Sequence, residues 1–235
     1  MTEPLDRARK RGNSKRLQAR IAWCCRRLAQ RYGNPRHGNK RNPLDELVYI
    51  VLSTRTSEAV FRAIYRDLKK AFPSWDDVHS RRVGEFHRIL APGGLSSLKA
   101  YQLLSIFSTL RREFGRPTLA PLRAMPDDDA ERFLTSLPGV GKKVAKCVLM
   151  YSLDRQVLPV DVHTHRVAVR LGLAAKLRPD TSQDLMEAQV PPELRYGFHV
   201  NAVAHGRVVC LPRKPMCEAC VLRECCPHPK KRKKN

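Results

Sequence analysis

The segment Leu137-Pro138-Gly139-Val140-Gly141-Lys142-Lys143-Val144-Ala145 constrains this chain more than any other. It ends one helical pattern and opens the next. Its glycines permit positive φ and let the backbone come close to a ligand. The amides of such a turn, with those at the start of the following helix, can point at one phosphate, and the helix dipole adds partial positive charge there. That grip holds a nucleic-acid backbone without reading its sequence. A Pro-Gly-x-Gly alone also suits a plain tight turn. The flanking amphipathic patterns and the two closing lysines favour the phosphate grip.

Helix signals dominate the surroundings. Asn42-Pro43 is a cap followed by a first-turn proline, opening an apolar run from Leu44 to Leu52. Val60, Ile64 and Leu68 repeat every four residues and stop at Phe72-Pro73. Leu103, Ile106, Phe107, Leu110 and Phe114 form another stripe, closed by Gly115. Asp127–Asp129 put acids where a helix start favours them. Strand-like alternation is scarce and no repeat is visible, so the expected fold class is all-α. Residues 1–20 and 228–235, charged and poor in aromatics, read as disordered ends.

Charge narrows the partner. The formal net charge is +23, with 13 Lys/Arg against two acids in residues 1–42 and five further bases in Lys230–Lys234. This footprint favours a polyanion, through counterion release and electrostatic steering. A merely solubilising surface is the plainer alternative. No apolar run approaches membrane-spanning length, and Met1–Arg20 lacks the apolar core of a secretion signal. A monomer that meets nucleic acid in the cytoplasm or nucleus, away from membranes, is expected.

Five of the eight cysteines crowd into Cys210–Cys226, which reads as metal binding in a reducing compartment. Cys24, Cys25 and Cys147 lie inside apolar helical patterns as packing residues. Cys210, Cys217, Cys220 and Cys226 are separated by six, two and five residues. Four thiolates suit an iron–sulfur cluster and also zinc. Zinc ribbons commonly pair two Cys-x-x-Cys units, and only one exists here. Cys225 adjoins Cys226 and competes with it for the fourth place.

Over roughly residues 42–226 the chain resembles the endonuclease III family of helix-hairpin-helix DNA glycosylases. Its Leu-Pro-Gly-Val-Gly-Lys-Lys is similar to that family's hairpin, whose second basic residue, here Lys143, matches the catalytic lysine. Val160-Asp161-Val162-His163 matches the Val-Asp-x-His segment, whose aspartate is the shared acid. The 18-residue separation of Lys143 and Asp161 leaves room for the second hairpin helix and a return loop. The cysteine spacing is the family's arrangement for a [4Fe–4S] cluster, and the gap to the fourth ligand selects Cys226. The cluster would order a loop bearing Arg207, Arg213, Lys214 and Arg223.

The resemblance implies two helical lobes with DNA across the cleft between them. Residues 42–154 would form a helical barrel with the hairpin, and 21–41 with 155–227 the cluster lobe; 1–20 and 228–235 are basic ends. Gly139, Val140, Gly141 and Lys142 would hold the backbone. Gly94–Ala100 resembles the intercalating loop, with Leu95 as the wedge. Arg55 replaces a glutamine that fills the space left by the extruded nucleotide, Thr135 stands where many relatives have glutamate, and His163 lines the same cleft.

These residue types fit the implied reaction, a bifunctional DNA glycosylase with AP-lyase activity on damaged pyrimidines in duplex DNA. A carboxylate stabilises positive charge developing on the sugar. A lysine amine attacks C1′ and forms an imine that permits β-elimination. The lysine must shed its proton, which burial or neighbouring cations promote; Lys142 and the helix start are the candidate neighbours. Two rivals remain at this stage. A monofunctional mismatch glycosylase is opposed by Lys143, and by Tyr49 where the adenine branch places its glutamate. A non-catalytic DNA-binding module would have no need of Lys143 and Asp161.

Overall fold

The structure of the protein is a computed structural model that describes residues 3–79, 82–93, 96–174 and 178–229. No strand occurs among the described residues. The helices are α1 (Glu3–Tyr32), α2 (Pro43–Ser53), α3 (Glu58–Ala71), α4 (Val83–Leu90), α5 (Ser96–Phe114), α6 (Asp127–Ser136) and α7 (Lys142–Leu153). They continue with α8 (Val162–Leu171), α9 (Pro179–Gln189) and α10 (Pro192–Val208).

The chain divides into two units, Gly38–Arg155 and the pair of segments Met1–His37 with Gln156–Asn235. The sequence places the first junction at residue 42; the structure moves residues 38–41 into the continuous unit. Hydrogen bonds explain the shift. Asn39 Nδ2 and the Lys40 amide both donate to the Glu46 carboxylate at 2.6 Å, and Ser152 Oγ donates to the Lys40 carbonyl at 2.7 Å.

In the continuous unit α2 is central, packed by α3, α5 and α7. Asn42 Oδ1 accepts from the amides of Leu44 (2.9 Å) and Asp45 (3.1 Å), and Pro43 follows at the first helical position. Leu44, Leu47, Val48, Ile50, Val51 and Leu52 are all buried. A helix apolar on every side belongs inside a core, whatever its sequence period.

In the discontinuous unit α10 packs against α1 and α8. Here one expectation is corrected: residues 3–20 are not a disordered end but part of α1. Leu17, Ile21, Cys24 and Leu28 recur at helical spacing, and Ile21, Cys24 and Leu28 have no exposed surface. Burial of that stripe anchors the helix, and the Arg, Gln, Ala and Leu around it are strong helix formers. Lys15, Arg16, Arg26, Arg27 and Arg31 are exposed along the same helix. Lys230–Lys234 fall outside the described residues.

Candidate functional site

The hairpin is built as its glycines require. Gly139 has φ 68°, a conformation that disfavours any other residue, and a Cβ there would lie 2.7 Å from Gln102 Nε2 of α5, a side-chain end that could move aside. The Val140 side chain is buried and its amide donates to the Leu137 carbonyl at 3.1 Å, which closes the turn. Gly141 is the N-cap of α7, whose start has no side-chain cap, whereas Asn42 and Asp161 cap α2 and α8. An uncapped helix start keeps its first amides for another acceptor.

Lys142 is exposed at the head of α7 and Lys143 is half-buried beside it. One turn further, Lys146 is 5% exposed and its ammonium meets Glu131 of α6 at 2.7 Å. That pair ties the two hairpin helices together. Sequence reasoning missed it, and also missed Glu46, which is fully buried on α2. Burial raises the Glu46 carboxyl from 4.5 to about 7, opposed by hydrogen bonds from the Lys40 amide and Asn39 and by the positive charges of Lys40 and Lys143. The expected nucleophile thus shares its electrostatic surroundings with a buried carboxyl group.

Arg55 is exposed and lies in the left-handed region, φ 51°. Thr135 is spent inside α6, its hydroxyl donating to the Glu131 carbonyl at 2.8 Å. Gly94 and Leu95, the expected wedge loop, lie outside the described residues. The first turns of α5 that follow them expose Leu98 (61%) and Tyr101 (70%).

Asp161 and His163 belong to the discontinuous unit. Asp161 Oδ1 accepts from the amides of His163 (3.0 Å) and Thr164 (2.7 Å), so this carboxylate is the N-cap of α8. His163 is half-buried against α10, where a Cβ on Gly206 would come within 2.8 Å of its own Cβ. Arg166 donates to His163 Nδ1 (3.0 Å), to the Gly206 carbonyl (2.7 Å) and, through Nε, to the Cys210 carbonyl (2.8 Å). Burial lowers the His163 pKa, with Asp161 opposing.

Cys210, Cys217, Cys220 and Cys226 line one pocket, together with Arg170 and Arg223. Cys225 is not among its walls. Its Sγ stands 3.5 Å from that of buried Cys24, and it contacts the Leu222 carbonyl. Cys24, Cys25 and Cys147 are buried in apolar surroundings. Leu222, 1% exposed, plugs the cysteine loop into the core of its unit. Among the described residues no group of three or more His, Cys, Asp or Glu is placed to hold a metal ion.

The thiols are supplied with N–H donors. Arg170 donates to Cys210 Sγ (3.2 Å) and the Leu222 amide to Cys220 Sγ (3.4 Å). Tyr32 Oη lies 2.9 Å from Nδ1 of buried His205, and His205 Nε2 lies 3.4 Å from Cys220 Sγ. Burial holds His205 down at about 4, so it is neutral. A neutral imidazole that accepts from the tyrosine donates at its other nitrogen, toward sulfur. Burial and the neighbouring thiols push Cys220 up to about 11. Such a set ionises together only around a cationic centre, so its chemistry fits a cluster that replaces the thiol protons.

No protein-family model matches the chain. Endonuclease III of Thermotoga maritima is 27% identical over 206 residues, 88% of this chain and 92% of that protein. A protein of Arabidopsis thaliana that carries a DNA glycosylase name is 32% identical over 166 residues. The match covers 70% of this chain and 57% of that protein, so the chain spans little more than half of this relative's length. A solved structure of a trapped endonuclease III–DNA covalent intermediate has a TM-score of 0.77 at 24% identity, covering 92% of this chain and 98% of that one. The all-helical fold is that of the solved endonuclease III–DNA complex. The chain is thus similar to endonuclease III proteins in sequence and in fold.

Proposed function

We propose that this protein is a base-excision repair enzyme, a bifunctional DNA glycosylase with AP-lyase activity on oxidised or otherwise damaged pyrimidines in duplex DNA. The observation that carries the reading is Lys143, a half-buried amine in the first turn of α7, directly after the Gly139–Gly141 turn and in the field of the buried Glu46 carboxyl. The relatives' names and the trapped covalent complex support it.

The turn and the uncapped start of α7 grip a phosphate, which brings the neighbouring sugar to the amine. Lys143, once deprotonated, attacks C1′ as the bond to the damaged base breaks and the base leaves with a proton. The Asp161 carboxylate stabilises the positive charge that develops on the sugar. The C1′–O4′ bond then opens, with O4′ taking up the proton that the amine nitrogen sheds. The resulting imine makes the C2′ proton acidic; its removal expels the 3′ phosphate and leaves an unsaturated sugar. Cys210, Cys217, Cys220 and Cys226 would hold a [4Fe–4S] cluster, which when bound braces the loop carrying Arg213 and Lys214.

Borohydride trapping tests this. Wild-type protein should give a stable adduct with abasic DNA and nick it. Lys143→Gln should abolish both and still bind damaged duplex, because one phosphate-range cation contributes little of the total affinity. Lys142→Gln should trap normally. Trapping that survives in Lys143→Gln would overturn the assignment, and loss in Lys142→Gln alone would move the nucleophile by one residue.

A further inference from the structure

Lys99, in the first turn of α5, is 5% exposed. Its ammonium donates to the Leu52 carbonyl in the last turn of α2 (2.9 Å) and to Thr56 Oγ1 just beyond that helix (2.5 Å). Burial lowers its pKa. A buried cation is costly unless hydrogen-bonded, and here it also meets the negative end of a helix.

The residue enclosed by these bonds is Arg55. Thr56 Oγ1 donates to the Thr54 carbonyl (3.2 Å) while accepting from Lys99, so a chain of hydrogen bonds closes around the Arg55 backbone. A left-handed non-glycine residue costs on the order of 1 kcal/mol or more and persists only when its surroundings over-determine it. The helix that carries Lys99 also exposes Leu98 and Tyr101, and its Gln102 lies against Gly139 of the hairpin. One buried ammonium therefore joins the Arg55 turn to the helix that shoulders the hairpin and shows two large apolar side chains.

We infer that Lys99 is a positioning residue for nucleotide extrusion, holding the Arg55 turn against the start of α5 so that Arg55 enters the duplex as one rigid element with Leu98 and Tyr101. The inference rests on the glycosylase reading above and adds to it the part that orders the probing surface. Lys99 makes no contact with the reacting sugar in this account; it acts through Arg55. Rigid presentation matters because misplacement of about 1 Å in a positioning contact can cost about 100-fold in rate.

The test uses the full-length protein with its cluster and a duplex carrying a tetrahydrofuran abasic analogue beside 2-aminopurine, whose fluorescence rises on unstacking. Lys99→Met should reduce the fluorescence rise and slow excision from paired duplex about 10- to 100-fold through kcat rather than KM. Trapping at an abasic site in single-stranded DNA, which needs no extrusion, should change less than about threefold. Thr56→Val, which keeps the shape and removes only the hydroxyl with its bonds to Lys99 and the Thr54 carbonyl, should show the same pattern more weakly, and Lys99→Arg should restore part of the extrusion signal. A double-mutant cycle is decisive: Lys99→Met should add nothing to Arg55→Ala if one acts through the other. Multiplicative losses, or equal losses on single-stranded and paired substrates, would overturn the inference. Wild-type protein that extrudes the nucleotide but never traps would overturn the lyase reading and leave the fluorescence cycle on Lys99 readable.

Discussion

The two units keep polar groups inside helical cores by different means. The unit Gly38–Arg155 pairs its buried charges with its own groups: Lys146 with Glu131, Lys99 with the Leu52 carbonyl and Thr56, Glu46 with Asn39 and the Lys40 amide. The other unit crowds four thiols around a pocket in a loop whose only regular structure is one short turn, Cys217–Ala219. An Arg170 N–H donates to the Cys210 sulfur, and a ring nitrogen of His205 lies 3.4 Å from the Cys220 sulfur. The first unit pairs these buried charges within the protein, whereas the second gathers thiols whose chemistry suits a bound group.

This difference predicts unequal responses to substitution, beginning with the cysteines. Cys226→Ser should abolish iron binding and release stability on the scale of a whole domain, about 5–15 kcal/mol. Hydrogen exchange should then speed up across residues 209–229, α8 and α10 while α2 and α7 keep their protection. Cys225→Ser, which faces Cys24 and not the pocket, should retain iron and colour. Equal loss of protection in α2 and α7 would break the contrast, as would stoichiometric zinc without iron in protein prepared anaerobically.

Next in size is the buried pair of the hairpin. Glu131→Gln leaves the Lys146 ammonium buried without its carboxylate and should cost about 3–5 kcal/mol in urea unfolding. Lys146→Met combined with Glu131→Leu should recover most of that, because no uncompensated charge remains. A loss below about 1 kcal/mol for Glu131→Gln would mean that the pair is solvated in solution.

Glu46 gives a smaller effect whose sign is set by pH. The folded carboxyl is raised from 4.5 to about 7, so its contribution to stability is full below about pH 4.5 and is lost as pH rises through about 7. The scale is on the order of 3 kcal/mol. Glu46→Gln should flatten this part of the melting-temperature profile between pH 4.5 and 7. It should also cost about 1 kcal/mol at low pH, since its single acceptor oxygen faces two donors. An unchanged slope in the variant would assign the pH dependence to another group.

What the sequence revealed and what it hid divide along chain distance. The hairpin and the cysteine loop are local: their glycines, helix ends and spacings lie within a few residues, and the backbone follows from them. The α2 cap is local too, readable as Asn42-Pro43. Lys99 and Glu131 look like surface residues because their partners stand 47 and 15 positions away, Leu52 for the first and Lys146 for the second. Glu46 hides inside an apolar run, where only the packing of α2 on several neighbours removes it from water. Charge density misled the reading of residues 3–20, because composition averages over a helix whose buried stripe is narrow.

The smallest stability effect tests the comparison most finely, because each unit has a helix start capped by one side chain. Asn42 Oδ1 receives two amides at the start of α2, and Asp161 Oδ1 two at the start of α8. Asn and Asp rank together as caps, so Asp161→Asn preserves the cap and forfeits only the attraction of a negative charge to the helix dipole, about 0.3–1 kcal/mol. Asn42→Asp is the reciprocal exchange and should gain a similar amount. If Asp161 only capped α8, both variants would leave excision within about twofold, as surface-scale stability changes do. If its carboxylate also stabilises charge on the sugar, Asp161→Asn should slow excision about 100- to 1,000-fold, the scale on which a single electrostatic contact acts in a transition state. Its melting temperature would meanwhile stay within a few degrees of wild type. Asp161→Ala then removes both roles together, losing about 1 kcal/mol more in stability than Asp161→Asn without further loss of rate. A rate that instead followed the melting temperature across Asp161→Asn and Asp161→Ala would reduce Asp161 to a cap and leave Lys143 to act without this carboxylate.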